Sequence, residues 1–563
     1  MKFIKILLLL ISFYGFSQDK YLNNNFRSPL DIPVLLSGTF GELRNNHFHS
    51  GLDIKTKGIQ GLKVYAVADG YVSRIRVSQY GFGKAIYVTH PNGYTTVYAH
   101  LNKYALEIEK YVKLIQYGKK EYVTGNIYLN DDKFLVKKGE VIAYSGDSGG
   151  SSAPHLHYEV RDSETEKIIN PLFFNLYPKD RTKPTIKSLM IYTLNDKSRI
   201  NKKNINLLMA VKKISNGIYK IDKFSANGNI GIGINTFDKL DNANNKNGIY
   251  SLEMFVNNNR VYYHDLETFS FSESKLINLL IDYDYFKKNN TRIQKIFKVD
   301  KNNLSIYKDL KKNGELLIRD NFNYDIKIIT KDFEGNSSIL KFQIQGEENN
   351  TIISKEKDTS SYKILANKFQ KYTFDNIMIA FPENTFYQDC YLDIKKENDI
   401  IKIHEPIIPL NKSYKLTFDV SEFSEKEKQQ LYIANVDRKK YPVYQFTHKK
   451  EKLFYTTTKS LGKFQLLSDK EAPIIKPLFF EDEQWISNAK TLKIKISDTN
   501  SGIKSHYATI NNEWILMEYN HKKGILTYNF KDKILFGSKH IFKLVVLDNV
   551  LNKSTITKTF YRK

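Results

Sequence analysis

A single cysteine, Cys390, stands in 563 residues. That excludes an intrachain disulfide framework, a cysteine-built zinc site and an iron–sulfur cluster. Tryptophan is limited to two residues, and glycine (28) and proline (13) are modest, which excludes collagen-like and linker-like chains. No apolar run reaches the roughly 20 residues of a bilayer-spanning helix. Acid is outnumbered by base, 61 against 86, for a formal charge of +25, which raises the question of an anionic partner. What is abundant is Tyr (38) and Phe (35) within a 41% hydrophobic chain. Such a chain can bury several cores, and the profile favours β-rich globular domains, about three to five at this length.

The N-terminus indicates the compartment. Lys2 and Lys5 precede an apolar run from Ile6 to Phe13, and Gly15 and Ser17 follow at small-residue positions. The pattern is that of a secretory signal peptide over 1–17, too short to span a bilayer. No cysteine follows for lipid attachment. The expected mature protein is exported, to the periplasm, the cell surface or the medium. Residues 18–178 carry 19 basic and 16 acidic side chains, so +20 of the charge falls on 179–563. In an exported protein nucleic acid is not the expected partner. A cell-surface polymer, lipid headgroups or a protein on the basic C-terminal domains is, with a merely solvated lysine-rich surface as the alternative.

The chain reads as mostly β. From Gly38 to Val160 short strands alternate with glycine turns, for example Gly70–Val77, Tyr94–His100 and His155–Arg161. A longer insertion around 102–138 interrupts them, with a helix expected over Ala105–Tyr117 and Gly118 as its stop. Pro171 to Lys183 reads as a linker. Beyond it two segments resemble each other: Asp180-Arg-Thr-Lys-Pro184 and Asp469-Lys-Glu-Ala-Pro473. Each is followed by a Gly-Ile pair and closes on a strand, an aspartate and an asparagine: Asp332 and Asn336, then Asp548 and Asn552. Immunoglobulin-like β-sandwiches are therefore expected over 179–350 and 469–563, with a β-rich domain of unknown type over 351–468.

Five residues carry chemistry. On an extended strand His49 and Asp53, four apart, face the same way and can converge on one ion. His155 and His157 likewise share a face, about 7 Å apart along the backbone. His100 ends the strand Thr96–Ala99. Imidazole with carboxylate suits Zn²⁺. Gly51, between His49 and Asp53, permits close backbone approach. His47, Arg44 and His90 are nearby but read more simply as loop or turn residues, with Arg44 also suited to a substrate carboxylate.

These motifs, His49-x-x-x-Asp53, Tyr98-Ala99-His100-Leu101 and His155-x-His157 in order, resemble the lysostaphin/LytM-type zinc metallo-endopeptidases, peptidase family M23. Tyr80-Gly81-Phe82-Gly83 and Val136-Lys-Lys-Gly139 agree with that pattern. The resemblance covers about residues 36–175 and implies an antiparallel β catalytic domain within 18–178. It implies one zinc per chain on His49, Asp53 and His157, with His100 and His155 as the catalytic pair, their separate roles unassigned. The implied substrate is peptidoglycan peptide, and a D-Ala–diaminopimelate link is favoured. A catalytically silent relative acting as a wall-binding scaffold, or as activator of another hydrolase, is the competing expectation. A surface adhesin led by the basic β domains is a third.

Overall fold

The computed structural model describes Tyr21 and residues 26–347, 362–438 and 440–563. The expected signal peptide over 1–17 lies outside the described residues, as does the expected boundary at 350/351. The chain is mostly strand, 47% against 8% helix, as its composition leads one to expect.

The N-terminal domain is built on strands β1 (Leu36–Gly38), β2 (Leu52–Lys55), β3 (Lys63–Tyr65), β4 (Gly70–Val77), β5 (Lys84–Thr89) and β6 (Tyr94–Ala99). They are followed by β7 (Lys103–Tyr104), helix α1 (Leu106–Lys119), β8 (Gly125–Tyr128), β9 (Leu135–Val136), β10 (Val141–Tyr144), β11 (His155–Asp162) and β12 (Ile168–Ile169). The main sheet runs β1-β2-β11-β6-β5-β4-β8, and β3-β10-β7 form a small second sheet. Strand β11 lies between β2 and β6, antiparallel to both, with His157 opposite Asp53 on one side and Ala99 on the other. Its alternation explains its composition. Leu156, Tyr158 and Val160 enter the apolar core, so His155, His157, Glu159 and Arg161 share the opposite face.

Two local expectations are corrected. Helix α1 runs through Gly118 and ends at Lys120, which takes up the left-handed cap at φ 55°. The insertion is packed into the domain. Tyr104, Ile108, Val112 and Val136 are buried in the core, and β8 and β9 pair with β4. The stretch read as a linker from Pro171 is also core over its first half, where Leu172, Phe173, Phe174 and Leu176 are buried.

That core does not stop at residue 178. It continues through Leu240, Leu266, Phe269, Ile277, Leu280 and Ile306. Phe269 packs between Phe40 and Phe48, ring centroids 4.8 and 5.2 Å away, and its strand Thr268–Phe269 pairs with β12. Residues 185–346 also form their own 13-stranded arrangement around a second core. Residues 362–468 place two five-stranded sheets and a two-stranded pair around a third. Residues 474–561 place a four- and a five-stranded sheet around a fourth. Each is a β-sheet domain.

The last of these returns to the first. Lys84, 5% exposed, meets both carboxylate oxygens of Glu518 at 3.0 and 2.9 Å. Lys113 of α1 reaches Asp532 at 2.5 Å, and Tyr117 lies edge-on to Trp514. The turn after Glu518–Asn520 places Lys522 Nζ on Asp147 Oδ1 (2.9 Å) and on the Ser151 carbonyl (2.8 Å), while His521 packs on Tyr80. The insertion occupies the sheet edge opposite β1 and buttresses this C-terminal module, whose own turn grips the loop that leads into His155.

Candidate metal and catalytic centre

The geometry starts from β2 and β11. Their antiparallel register sets Asp53 directly across from His157, and the turn before β2 brings in His49. Gly51 is required there, because a Cβ would stand 2.3 Å from the Tyr158 carbonyl. His49 Nε2 lies 3.0 Å from Asp53 Oδ1 and 3.1 Å from His157 Nδ1, and His157 Nδ1 lies 2.9 Å from the same Asp53 oxygen. All three side chains are buried. His155 Nε2 is 3.4 Å from Asp53 Oδ1. The His100 ring stands edge-on to His155 at 4.8 Å and to His157 at 5.8 Å. The five residues singled out in the sequence thus come together.

Each ring is oriented by its other nitrogen. His49 Nδ1 is 2.8 Å from the Thr39 carbonyl, and His100 Nδ1 is 2.9 Å from the Ser148 carbonyl. His155 Nδ1 is 2.8 Å from the Ala153 carbonyl. Since a carbonyl only accepts, these contacts put the proton on Nδ1 and leave Nε2 facing the cluster. His157 is reversed: its Nε2 is 3.0 Å from Glu159 Oε1. Glu159 in turn accepts from Arg161 Nη2 at 2.6 Å and Nε at 2.8 Å. His100 sits at φ 59°, an uncommon backbone state of the kind that collects at functional sites.

The electrostatics follow from burial and from one shared carboxylate. Burial pushes His49 down to about 4, against the pull of Asp53. Burial, with His157 and His155 beside it, pushes His100 down to about 3. For His157 burial is outweighed by the bonds to Asp53 and Glu159, which hold it up at about 9. Burial would raise Asp53, but the surrounding histidines, His49 first, keep it well below the usual carboxylate range. Arg44 Nη2 lies 2.6 Å from Asp53 Oδ2, so its charge is engaged by a ligand-set residue rather than offered to a substrate. Of the remaining histidines, His47 is exposed on the Asn45 carbonyl. His90 is buried between the Asp69 carbonyl and Thr96 Oγ1, which makes it structural.

Glu159 and Arg161 were missed from sequence. The signal was there: they continue the every-second-residue face of His155 and His157 on β11.

Residues 47–117 match the model of peptidase family M23, a span that includes His49, Asp53 and His100. Residues 361–469 match the model of the Zu5-like domain, over the region whose type was left open from sequence. An uncharacterized metalloprotease of Haemophilus influenzae is 32% identical over 170 residues, 29% of this chain and 30% of its own. The DD-carboxypeptidase/endopeptidase Mpg of Neisseria meningitidis is 34% identical over 113 residues, 20% of either chain. The peptidoglycan DD-endopeptidase ShyC of Vibrio cholerae is 28% identical over 141 residues, 24% of this chain and 26% of its own. The chain thus spans less than a third of the length of these relatives. Among the described residues no helix is long and apolar enough to cross a membrane. The resemblance to M23 metallopeptidases drawn from the three motifs is supported by both the family match and the relatives.

Proposed function

We propose that this protein is an exported zinc metallo-endopeptidase that hydrolyses peptide cross-links of bacterial peptidoglycan, of the D-Ala–diaminopimelate type. One observation carries the reading: two imidazole nitrogens and a carboxylate oxygen within 3.1 Å of one another, with two further histidines beside them.

The donors fit zinc. Ligand atoms 2.0–2.1 Å from a tetrahedral Zn²⁺ lie about 3.3 Å apart, close to the separations here. A set of two histidines and one carboxylate leaves a position open, as catalytic rather than structural zinc sites do. His49, Asp53 and His157 would hold the ion. When bound, zinc supplies Lewis acidity toward the scissile carbonyl and lowers the pKa of the attacking water.

The chain's own groups do the rest. Thr39 and Glu159 fix the rings of His49 and His157, so the ligand atoms need no reorganisation. His100 and His155, each held through Nδ1, offer Nε2 on the open side of the cluster. One would take the water proton on its Nε2 and then hand it to the leaving amine, and the other would steady the developing oxyanion when protonated on its own Nε2. Desolvation keeps His100 neutral, so its Nε2 lone pair is free.

The experiment is digestion of purified peptidoglycan by the full mature chain, with new amino ends identified by mass spectrometry and zinc measured in parallel. New amino ends on diaminopimelate, lost in Asp53→Ala, are expected. Bound zinc without new ends would make the protein a silent wall-binding scaffold.

A further inference from the structure

Outside the histidine cluster, Asp180, Asp238 and Asp332 bring carboxylate oxygens within 4.8 Å of one another. They come from three separate places. Asp180 lies in the segment entering the second domain, Asp238 just after the strand Phe224–Phe237, and Asp332 just after the strand Asn323–Lys331. They face a cavity of about 30 Å³ that Glu334 also lines, as do Thr39 and Phe40 of the N-terminal domain.

Two further observations separate this cluster from an ordinary acidic patch. Asp238 is 3% exposed, and its Oδ1 has no hydrogen-bond partner among the described residues. An orphaned buried carboxylate oxygen costs more than any ordinary hydrogen bond returns. Moreover, none of the described lysines or arginines pairs with any of the four carboxylates, in a chain with 86 basic residues. Burial and mutual repulsion raise Asp238 to about 8 and Asp332 to about 6, so the cluster lacks a positive charge that the protein does not itself supply.

The repeat in the last domain provides the contrast. Asp469, Asp498 and Asp548 form the same arrangement, and Asn552 bridges Asp469 and Asp548 as Asn336 bridges Asp180 and Asp332. There the carboxylates are engaged by backbone donors: Asp469 by Glu471 and Ser501, Asp498 by Gly502, Asp548 by Val550 and Asn552. In the first cluster Asp180 and Asp332 accept equivalent backbone bonds from Thr182 and Asn336, and the difference lies at Asp238, whose Oδ1 is left open.

We propose that Asp180, Asp238 and Asp332, with Glu334 at the rim, bind one calcium ion at the junction of the N-terminal and second domains. The donors are all hard oxygens, without the nitrogen or sulfur that would select zinc. Two oxygens on opposite sides of a calcium ion, each about 2.4 Å from it, are about 4.8 Å apart. The cavity exceeds the roughly 10–15 Å³ that a single small occupant requires. The ion would tie the entering segment to two strand ends directly beneath Thr39, whose carbonyl orients His49 and whose hydroxyl contacts Gly248. The site is chemically separate from the histidine cluster, so the proposal does not depend on the peptidase reading.

The test is calcium titration of the full mature chain, freed of calcium with a calcium-selective chelator, by calorimetry and by thermal unfolding. Terbium serves as an optical probe, because Tyr250 lines the same cavity and can sensitise it. Calcium is expected to bind and to raise the midpoint of the wild type. Asp238→Asn should lose terbium emission and the calcium-dependent rise, while melting in calcium-free buffer no lower than wild type, since it removes an uncompensated acid. His49→Ala should keep both signals. Should Asp238→Asn fail to fold, Asp180→Asn at the half-exposed position is expected to weaken binding at least tenfold. No uptake by the wild type, or uptake unchanged in the variant that folds, overturns the proposal.

Discussion

Replacing Glu159 by glutamine perturbs the candidate centre without touching a ligand. Glu159 is wholly buried and joins two groups: His157 Nε2 at 3.0 Å and Arg161 at 2.6 and 2.8 Å. Glutamine keeps the shape and loses the charge. One of its two terminal atoms becomes a donor, and both neighbours need an acceptor. If the amide nitrogen turns to His157, the ring must carry its proton on Nδ1, the atom aimed at Asp53 and His49. If it turns to Arg161, a donor meets a donor beside an unneutralised guanidinium. Removing one partner of a buried ion pair costs about 3–5 kcal/mol. Arg161 retains Glu166 at 2.7 Å, which places the cost near the lower end of that range. Loss of a carboxylate behind a ligating histidine typically weakens metal binding about 10–100-fold. The assay is zinc competition against a chromogenic chelator on the full chain. A dissociation constant within twofold of wild type, with Asp53→Ala binding none, would refute the idea that Glu159 sets the His157 ring.

Further outcomes follow from the same structure. His49→Ala, Asp53→Ala and His157→Ala should each abolish zinc binding and hydrolysis, whereas His100→Ala and His155→Ala should retain zinc and lose about 10²–10⁴-fold in kcat; loss of the metal in His100→Ala would overturn the division of roles. Residues 18–178 alone should aggregate, because they expose the surface that Leu240, Leu266, Phe269, Ile277, Leu280 and Ile306 cover, each such side chain contributing about 1.5–3 kcal/mol; a fragment ending near 347 should be soluble, and a monodisperse 18–178 by light scattering would contradict the shared core. His264, fully buried on Tyr262 and Gln294, is pushed down to about 3 by burial. The unfolded chain therefore binds its proton first, and stability is present above about pH 6.5 and falls below it by up to about 1.4 kcal/mol per pH unit. His264→Gln should flatten that acid slope in urea unfolding between pH 7 and 5, and an unchanged slope would assign it elsewhere.

Much of the centre was legible because its residues sit on short strands where spacing fixes the face: His49 with Asp53, His155 with His157. The strand Gly70–Val77 and the paired Asp-Pro segments were legible for the same local reason. What escaped was non-local. Leu172, Phe173 and Phe174 carry linker-like neighbours, yet are buried against residues from the next domain, and nothing in their own spacing reveals that surface. Gly118 looked like a helix stop because glycine often is one, but the turn that ends α1 is set two residues later by Lys120. Glu159 obeyed the alternation that placed the histidines and was passed over because it is no ligand.

Lys84 and Glu518 are separated by 434 positions, and that distance orders the making of the molecule. Lys84 is deeply enclosed in the full chain, where an unpaired charge would cost several kcal/mol, and its counter-charge Glu518 arrives only with the final domain. Closing so long a loop adds little, since the entropy grows only with the logarithm of length, but it cannot be closed early. Long-range contacts of this kind slow folding and lengthen the exposure of incomplete intermediates. A chain truncated before residue 518 carries all five residues of the histidine centre yet lacks the brace on the loop that precedes His155. Completion of the polypeptide thereby becomes a condition for a fully braced histidine centre.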